Sequence, residues 1–302
     1  MFDPLLLSWI VIWTSITSYG VYLILSDNKQ ASVFYVYGKS LEANKKKGLF
    51  WSLFLVPKRW FAHFYLVAIS VFVSSLAAVI AYYQSNIQLT NTSIPGVHIE
   101  TFKDIHRTSS LVFTLILMIV QCSRRLYECL SISVHSSTSR INIIHYAFGH
   151  LFYILAAVST IAPILLSDTS NQYTLNDILA NLVNRRRAIC FVLFVYVSHH
   201  QHKCHIILAN LRKNKAGQVI TEQHFVPSGG LFEFVSCPHF LLEILLYLII
   251  ILVQEFASNY WNLIFLLVFS TQTINAITEH KWYKRKYKDY PKSRKAIFPK
   301  LL

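Results

Sequence analysis

This 302-residue chain is short of charge, and the little it has is lopsided, with 14 Asp and Glu against 28 Lys and Arg. Charged residues make up only 14% of a chain that is 54% hydrophobic, with a mean hydropathy of +0.43. That balance belongs to an integral membrane protein rather than to an ordinary soluble domain. Cysteine is scarce and odd in number. Cys122, Cys129, Cys190, Cys204 and Cys237 lie in or beside apolar segments with no CxxC pair, which leaves neither a disulfide framework nor a zinc site. Eight Gly and eight Pro form no low-complexity tract, and no internal repeat is visible. The net charge of +14 points to nucleic acid, anionic lipid or a phosphorylated ligand. A polytopic membrane chain is a poor candidate for nucleic acid, and most of the cations read as anchors at the lipid surface.

Apolar length, by contrast, is plentiful. A helix needs about 20 mostly apolar residues to cross the hydrocarbon core. Seven stretches qualify, roughly 5–26, 64–83, 109–130, 145–167, 188–209, 240–257 and 260–278. The expectation is an all-α membrane protein of seven transmembrane helices, with residues 1–302 as one domain. The first stretch has no basic leader and no small-residue cleavage site, so Leu5–Leu25 is expected to be a retained span. Basic loops tend to stay cytosolic. Lys29, Lys39, Lys45, Lys46, Lys47, Lys58 and Arg59 follow the first span, and Lys203, Arg212, Lys213 and Lys215 follow the fifth. Nine more basic residues lie between Lys281 and Leu302. The N-terminus is therefore expected in the lumen and the C-terminus in the cytosol. The sequon Asn91-Thr92-Ser93 falls in a lumenal loop of that topology. Arg185-Arg186-Arg187 runs against it, because it falls on the lumenal side or among the headgroups.

Three polar stripes interrupt the apolar pattern. Gln201, His205, Leu208 and Arg212 share one helical face, as do His239, Glu243 and Tyr247, and then Asn275, Glu279 and Tyr283. Each alone would serve as interhelical glue. Three at cytosolic helix ends favour a shared polar ligand, since ionisable groups are costly within lipid. The first stripe runs on into Asn210-Leu211-Arg212-Lys213-Asn214-Lys215-Ala216-Gly217, where Gly217 and its cations are expected to end the helix and meet phosphates. The run His199-His200-Gln201-His202-Lys203-Cys204-His205 looks like a metal cluster, but the remaining histidines are isolated and no metal site is expected.

These residues carry a family resemblance. His280-Lys281-Trp282-Tyr283-Lys284 through Asp289-Tyr290-Pro291-Lys292-Ser293-Arg294-Lys295-Ala296 resembles the C-terminal signature of the steroid 5α-reductase family. Val226-Pro227-Ser228-Gly229-Gly230-Leu231-Phe232 and Phe240 to Glu243 resemble its other cofactor-binding stretch. Tyr37-Gly38-Lys39, Pro57-Lys58-Arg59-Trp60-Phe61, Arg124-Arg125-Leu126-Tyr127-Glu128 and His205 to Gly217 are most similar to its polyprenol (polyprenal) reductase branch. The resemblance covers roughly residues 30–302. It implies a multi-pass protein of the endoplasmic reticulum membrane, with a substrate-side half at about 1–165 and an NADPH-binding half at about 188–302. Carried over by position, Gln201, His205, Arg212, His224, His239, Glu243, Asn275, Tyr283 and Arg294 are the expected cofactor-binding residues. His239 departs from the Asn of many members, and His205 from the acid of the steroid enzymes. Those enzymes also place a Gln-Glu pair where this chain has His63-Phe64, and a Tyr near Cys122. With that pair gone, His63, Tyr65 and Glu128 remain as the candidate catalytic set for a different carbonyl.

Chemistry narrows the substrate. Hydride adds to a C=C when the developing charge has a sink, which an α,β-unsaturated aldehyde provides and an allylic alcohol does not. The expected substrate is therefore long-chain polyprenal, with NADPH as cofactor, membrane lipid around the tail, and alcohol and aldehyde dehydrogenases interconverting polyprenol and polyprenal. A 3-oxo-Δ4-steroid or a trans-2-enoyl-CoA remains the alternative within the superfamily. A membrane methyltransferase would bind S-adenosylmethionine instead, and a seven-span receptor or channel would tolerate Arg212→Ala.

Overall fold

The computed structural model describes residues 3–26, 54–84, 104–166 and 173–302. Tyr37-Gly38-Lys39, the basic run at 45–47 and the sequon at Asn91 lie outside the described residues. Eight α-helices are described: α1 (Pro4–Ser26), α2 (Phe61–Gln84), α3 (Ile105–Tyr127), α4 (Ile143–Leu165), α5 (Leu175–Ala180), α6 (Arg185–Asn210), α7 (Pro238–Val253) and α8 (Asn259–Lys286). Local sequence sets their starts. Asp104, Asn142, Thr174, Asn184 and Ser258 are N-caps whose side chains accept from the first backbone N–H groups, and Pro238 opens α7 where its missing donor costs nothing.

Helices overlie all seven expected spans, but only α1, α2, α3, α4 and α8 are both long and apolar enough to cross a membrane. α6 has 26 residues, yet its second half holds the His199–His205 run. α7 is apolar but stops after 16 residues, well short of residue 257. Its end is a turn with Glu255 and Phe256 at positive φ. A second correction concerns Gly217, which does not terminate α6. The helix ends at Asn210, and Gly217, at φ +80°, turns the hairpin that bridges Lys213 to Val219.

α1, α8, α7 and α6 pack successively, as do α4, α2 and α3, and the two groups meet through α3 with α7 and α4 with α8. Trp9, Phe72, Leu115, Met118, Tyr260 and Trp261 fill the shared core. Lipid gives no hydrophobic reward for helix association, so polar contacts supplement packing. Trp9 Nε1 donates to Ser159 Oγ (2.8 Å), Trp261 Nε1 to Thr160 Oγ1 (3.1 Å) and Gln254 Nε2 to Thr114 Oγ1 (3.1 Å).

The Arg185–Arg187 triplet acts as a clamp. Arg187 is fully buried and donates to His106 O (3.1 Å), Ser110 Oγ (2.8 Å) and Asn181 O, while Arg186 pairs with Glu255. Arg187 is thereby held by uncharged acceptors at the ends of α3 and α5, and Arg186 by the carboxylate just past α7. At the opposite end, β1 (Leu55–Pro57) pairs antiparallel with β2 (Arg140–Asn142), and Lys58 N donates to Ser139 O (3.0 Å). That pairing brings Lys58 to the loop that follows α3.

Candidate functional site

The site is organised around a buried charge network. Past Tyr127, α3 widens into a π-helical turn over Glu128–Ile132, and Glu128 is 0% exposed. Its carboxylate accepts from Arg124 and Arg125, stands 2.9 Å from His202 Nδ1, and lies 3.8 Å from His205 Nε2. Arg124 also donates to Gln121 Oε1 (2.9 Å) and to Gln201 Oε1. Gln201 Nε2 passes the connection to Glu243 Oε2 (2.6 Å) and His239 O (3.1 Å). Arg125 Nε donates to Tyr65 OH (3.3 Å). One network of two Arg and two carboxylates therefore ties α2, α3, α6 and α7 together. Removing one partner would strand a buried charge.

Two cavities, each about 260 Å³, lie on either side of this network and share Phe61, Arg125, His205, His239 and Phe240 as a common wall. The outer one is the more polar of the two and is built mostly from loop residues and helix ends, with Lys58, His135, Arg212, His224, Glu279 and Tyr283 in its lining. The inner one is lined by helices, and Phe148, Phe152 and Tyr153 face Gln201, Glu243 and Asn275 across it.

The outer cavity is held open by cross-loop bonds. Arg212 donates to Gln223 O (3.1 Å) and Val134 O (2.5 Å), and its NH2 is 2.7 Å from His224 Nδ1. Glu222 accepts from Ser137 N (3.2 Å), which with the Ser136 and Ser137 hydroxyls holds its carboxyl below the usual range. His135 is lowered to about 4 by burial and by the neighbouring Lys58 and Arg212 charges, and its Nε2 is buried without a hydrogen-bond partner. On the far wall Tyr283 stacks on Tyr290 with centroids 5.5 Å apart.

In the inner cavity Gly149 is set closely against a ring, and a side chain there would force that ring to shift. A Cβ there would meet Cε1 and Cζ of Phe64 at 2.9 Å.

The two cavities gather most of the sequence-selected residues. Gln201, Glu243 and Asn275 line the inner cavity; Arg212, His224 and Tyr283 line the outer; His205 and His239 line both. Arg294 lines neither. It is 3% exposed, donates to Pro227 O (2.9 Å), and fastens the tail to the loop before α7. Of the catalytic candidates, Tyr65 faces the inner cavity. Glu128 stands behind the wall as the anchor of Arg125, and His63 sits outside both cavities, with Nδ1 2.8 Å from Tyr146 OH. Sequence reasoning read Lys58 only as a loop cation and part of a motif, and placed none of Gln121, Lys58 and His135 in the site, nor Arg125 as its shared wall. The three- and four-residue spacing of Arg125 and Arg124 from Glu128 was the available signal for the last.

The sequence profile of a family described as 3-oxo-5-alpha-steroid 4-dehydrogenase matches residues 150–302. A protein from Ailuropoda melanoleuca named polyprenal reductase is 32% identical over 271 residues, covering 87% of this chain and 83% of that protein. Homo sapiens polyprenal reductase is 31% identical over 275 residues (87% and 83%), and that of Drosophila melanogaster is 34% identical over 267 residues (82% and 77%).

Proposed function

The chain belongs to the steroid 5α-reductase family, and from that premise we propose that it reduces the α-isoprene C=C of polyprenal to give dolichal, using NADPH. The carrying observation is the pair of adjoining cavities, one polar and one aromatic, with a single charged wall between them. The donor set of the outer cavity fits the phosphates of a dinucleotide. Lys58 and Arg212 supply positive charge, Tyr283 a flat face, and the buried His135 Nε2 an unused hydrogen-bonding position. Gln201, His205, His239, Glu243 and Asn275 lie deeper and offer amide, imidazole and carboxylate groups to the nicotinamide end. NADPH, when bound, supplies the hydride.

The chain's own residues orient and shield the acceptor. Phe64, Phe148, Phe152 and Tyr153 exclude water from the inner cavity and flank an isoprenoid unit. Tyr65 OH and the Arg125 guanidinium are donors on its wall, able to receive the aldehyde oxygen as charge develops there. The net change is a hydride added at the β-carbon and a proton at the α-carbon, the proton coming from a nearby acid or water. Glu128 acts through Arg124 and Arg125, which it neutralises and holds in place. His63 sets the entry of α2 through Tyr146.

The wider setting belongs to the same reading. α6 and α7 complete seven spans, with the N-terminus lumenal, the C-terminus cytosolic and the whole chain one domain in the endoplasmic reticulum membrane. Alcohol and aldehyde dehydrogenases supply polyprenal and consume dolichal, completing the conversion of polyprenol to dolichol for protein N-glycosylation. The test is NADPH consumption by the purified protein with polyprenal, polyprenol and a Δ4-3-oxo steroid in parallel, with mass spectrometry of the products. A two-hydrogen gain on polyprenal alone is expected, whereas turnover of the steroid alone would overturn the assignment.

A further inference from the structure

The far side of α8 carries a third cavity. Asn275, Glu279 and Tyr283 turn toward the two chambers, whereas Ile277, Lys281 and Lys284 lie about half a turn round the helix. There they border a space of about 550 Å³ between the end of α1, the end of α8 and residues 295–302. Lys281, Lys284, Arg285 and Lys295 all line it, and no Asp or Glu does among the described residues. Its apolar side comes from Ile24, Ile277 and Leu301.

Two ordinary explanations fall short of this arrangement. Cations at a helix C-terminus complement its dipole, which accounts for Lys284 and Arg285. It does not account for Lys295, which arrives from the tail on a backbone fixed to the segment before α7 (Lys295 N to Phe234 O, 3.1 Å). Anchoring at the lipid surface would account for cations on one helix end; here the exposed Lys281, Lys284 and Arg285 are joined at the same recess by the half-buried Lys295 from a separate segment. Here Lys281 Nζ also reaches Ile24 O (3.3 Å), closing the space against α1. The location adds a second constraint. Val21, Tyr22 and Leu25 form an exposed apolar flank on α1, with Leu25 78% exposed, and that flank ends beside Ile24. An apolar strip leading to a cluster of four cations is the shape of an amphiphile with an anionic head.

We propose that this cavity binds the phosphate-bearing headgroup of an anionic membrane lipid, whose acyl chains lie along the exposed flank of α1. The site is separate from the reductase chambers and does not depend on the reaction they carry out.

The experiment uses the purified full chain reconstituted with a photoactivatable phosphatidic acid or, separately, the matching phosphatidylcholine, followed by peptide mapping. Phosphatidic acid is expected to label residues 21–26, 277–285 and 295–302, at least tenfold above phosphatidylcholine. The triple variant Lys281→Gln, Lys284→Gln, Arg285→Gln should lose that labelling. Removing the same number of charges outside the cavity, with Lys286→Gln, Lys288→Gln and Lys292→Gln, should leave it in place. Equal labelling by the two lipids, or equal loss in both variants, would overturn the site. Suppression of labelling by millimolar inorganic phosphate would assign the cations to free phosphate and overturn the lipid. The wild-type labelling map needs no variant to fold.

Discussion

The outer and inner cavities are equal in volume and opposite in construction. Loops and helix ends make much of the outer one, and its character is set by Lys58, His135, Arg212 and His224. Helices alone supply nearly all of the inner one, where aromatic rings face the amides of Gln201, Gln272 and Asn275 and the carboxylate of Glu243. The difference separates two tasks. Charge carried on cross-linked loops can grip phosphates, while packed helices can hold a hydrophobic acceptor in one orientation away from water. Arg125, in the wall between them, belongs to both.

The comparison predicts that lesions will divide into those felt in both cavities and those felt in one. Glu128→Ala should have the largest effect, because it removes the fully buried carboxylate that pairs with the half-buried Arg124 and Arg125, at a cost of up to about 3–5 kcal/mol. Chemical unfolding in detergent should show it, with both ligand affinities falling together. Intact binding in one cavity would mean the two are not joined through Glu128. Gly149→Leu should be confined to the inner cavity. Its bulk would push the Phe64 ring into the chamber, and kcat/KM for the isoprenoid substrate should fall at least about tenfold, equivalent to about 1.4 kcal/mol of lost acceptor binding. Dinucleotide affinity, measured by fluorescence titration, should not change.

Arg212→Gln is the converse. It should weaken dinucleotide binding about tenfold and reduce the salt dependence of that binding, through lost charge-assisted contacts. The KM for the isoprenoid substrate should stay within about twofold, well under the 1.4 kcal/mol that a tenfold change represents.

The smallest effect is a pH dependence. His135 is held at about 4 in the folded chain against an ordinary 6.5, so below 6.5 the unfolded chain takes up the proton first. Its contribution to stability is therefore complete above pH 6.5 and declines as the pH falls toward 4. His135→Gln should flatten that limb of the unfolding curve. A bound phosphorylated ligand should raise the His135 value, as followed by NMR of labelled histidine; an unchanged value would place the phosphates elsewhere.

Much of this was legible in the chain, for a physical reason. Apolar length and helical spacing are local properties, so the helices and the faces carrying Gln201 and His205, His239 and Glu243, and Asn275 and Tyr283 could be read directly. Features fixed by distant partners could not. The pairing of Leu55 with Asn142 brings Lys58 to His135, 77 positions further along the chain. Arg187 gains its meaning from carbonyls on α3 and before α6. Arg294 matched a motif, but only its bond to Pro227 O shows that it braces the tail rather than lining a cavity. α7 reads as a longer span than it forms, because hydropathy does not register the positive-φ turn at Glu255 and Phe256.

The most direct test of the two-cavity account is to run the reaction with NADPH deuterated at the transferable position and locate the label in the product. One deuterium at the β-carbon of the α-isoprene unit, with polyprenal as acceptor, is the predicted result. No deuterium at that carbon, or transfer only to the steroid, would contradict it.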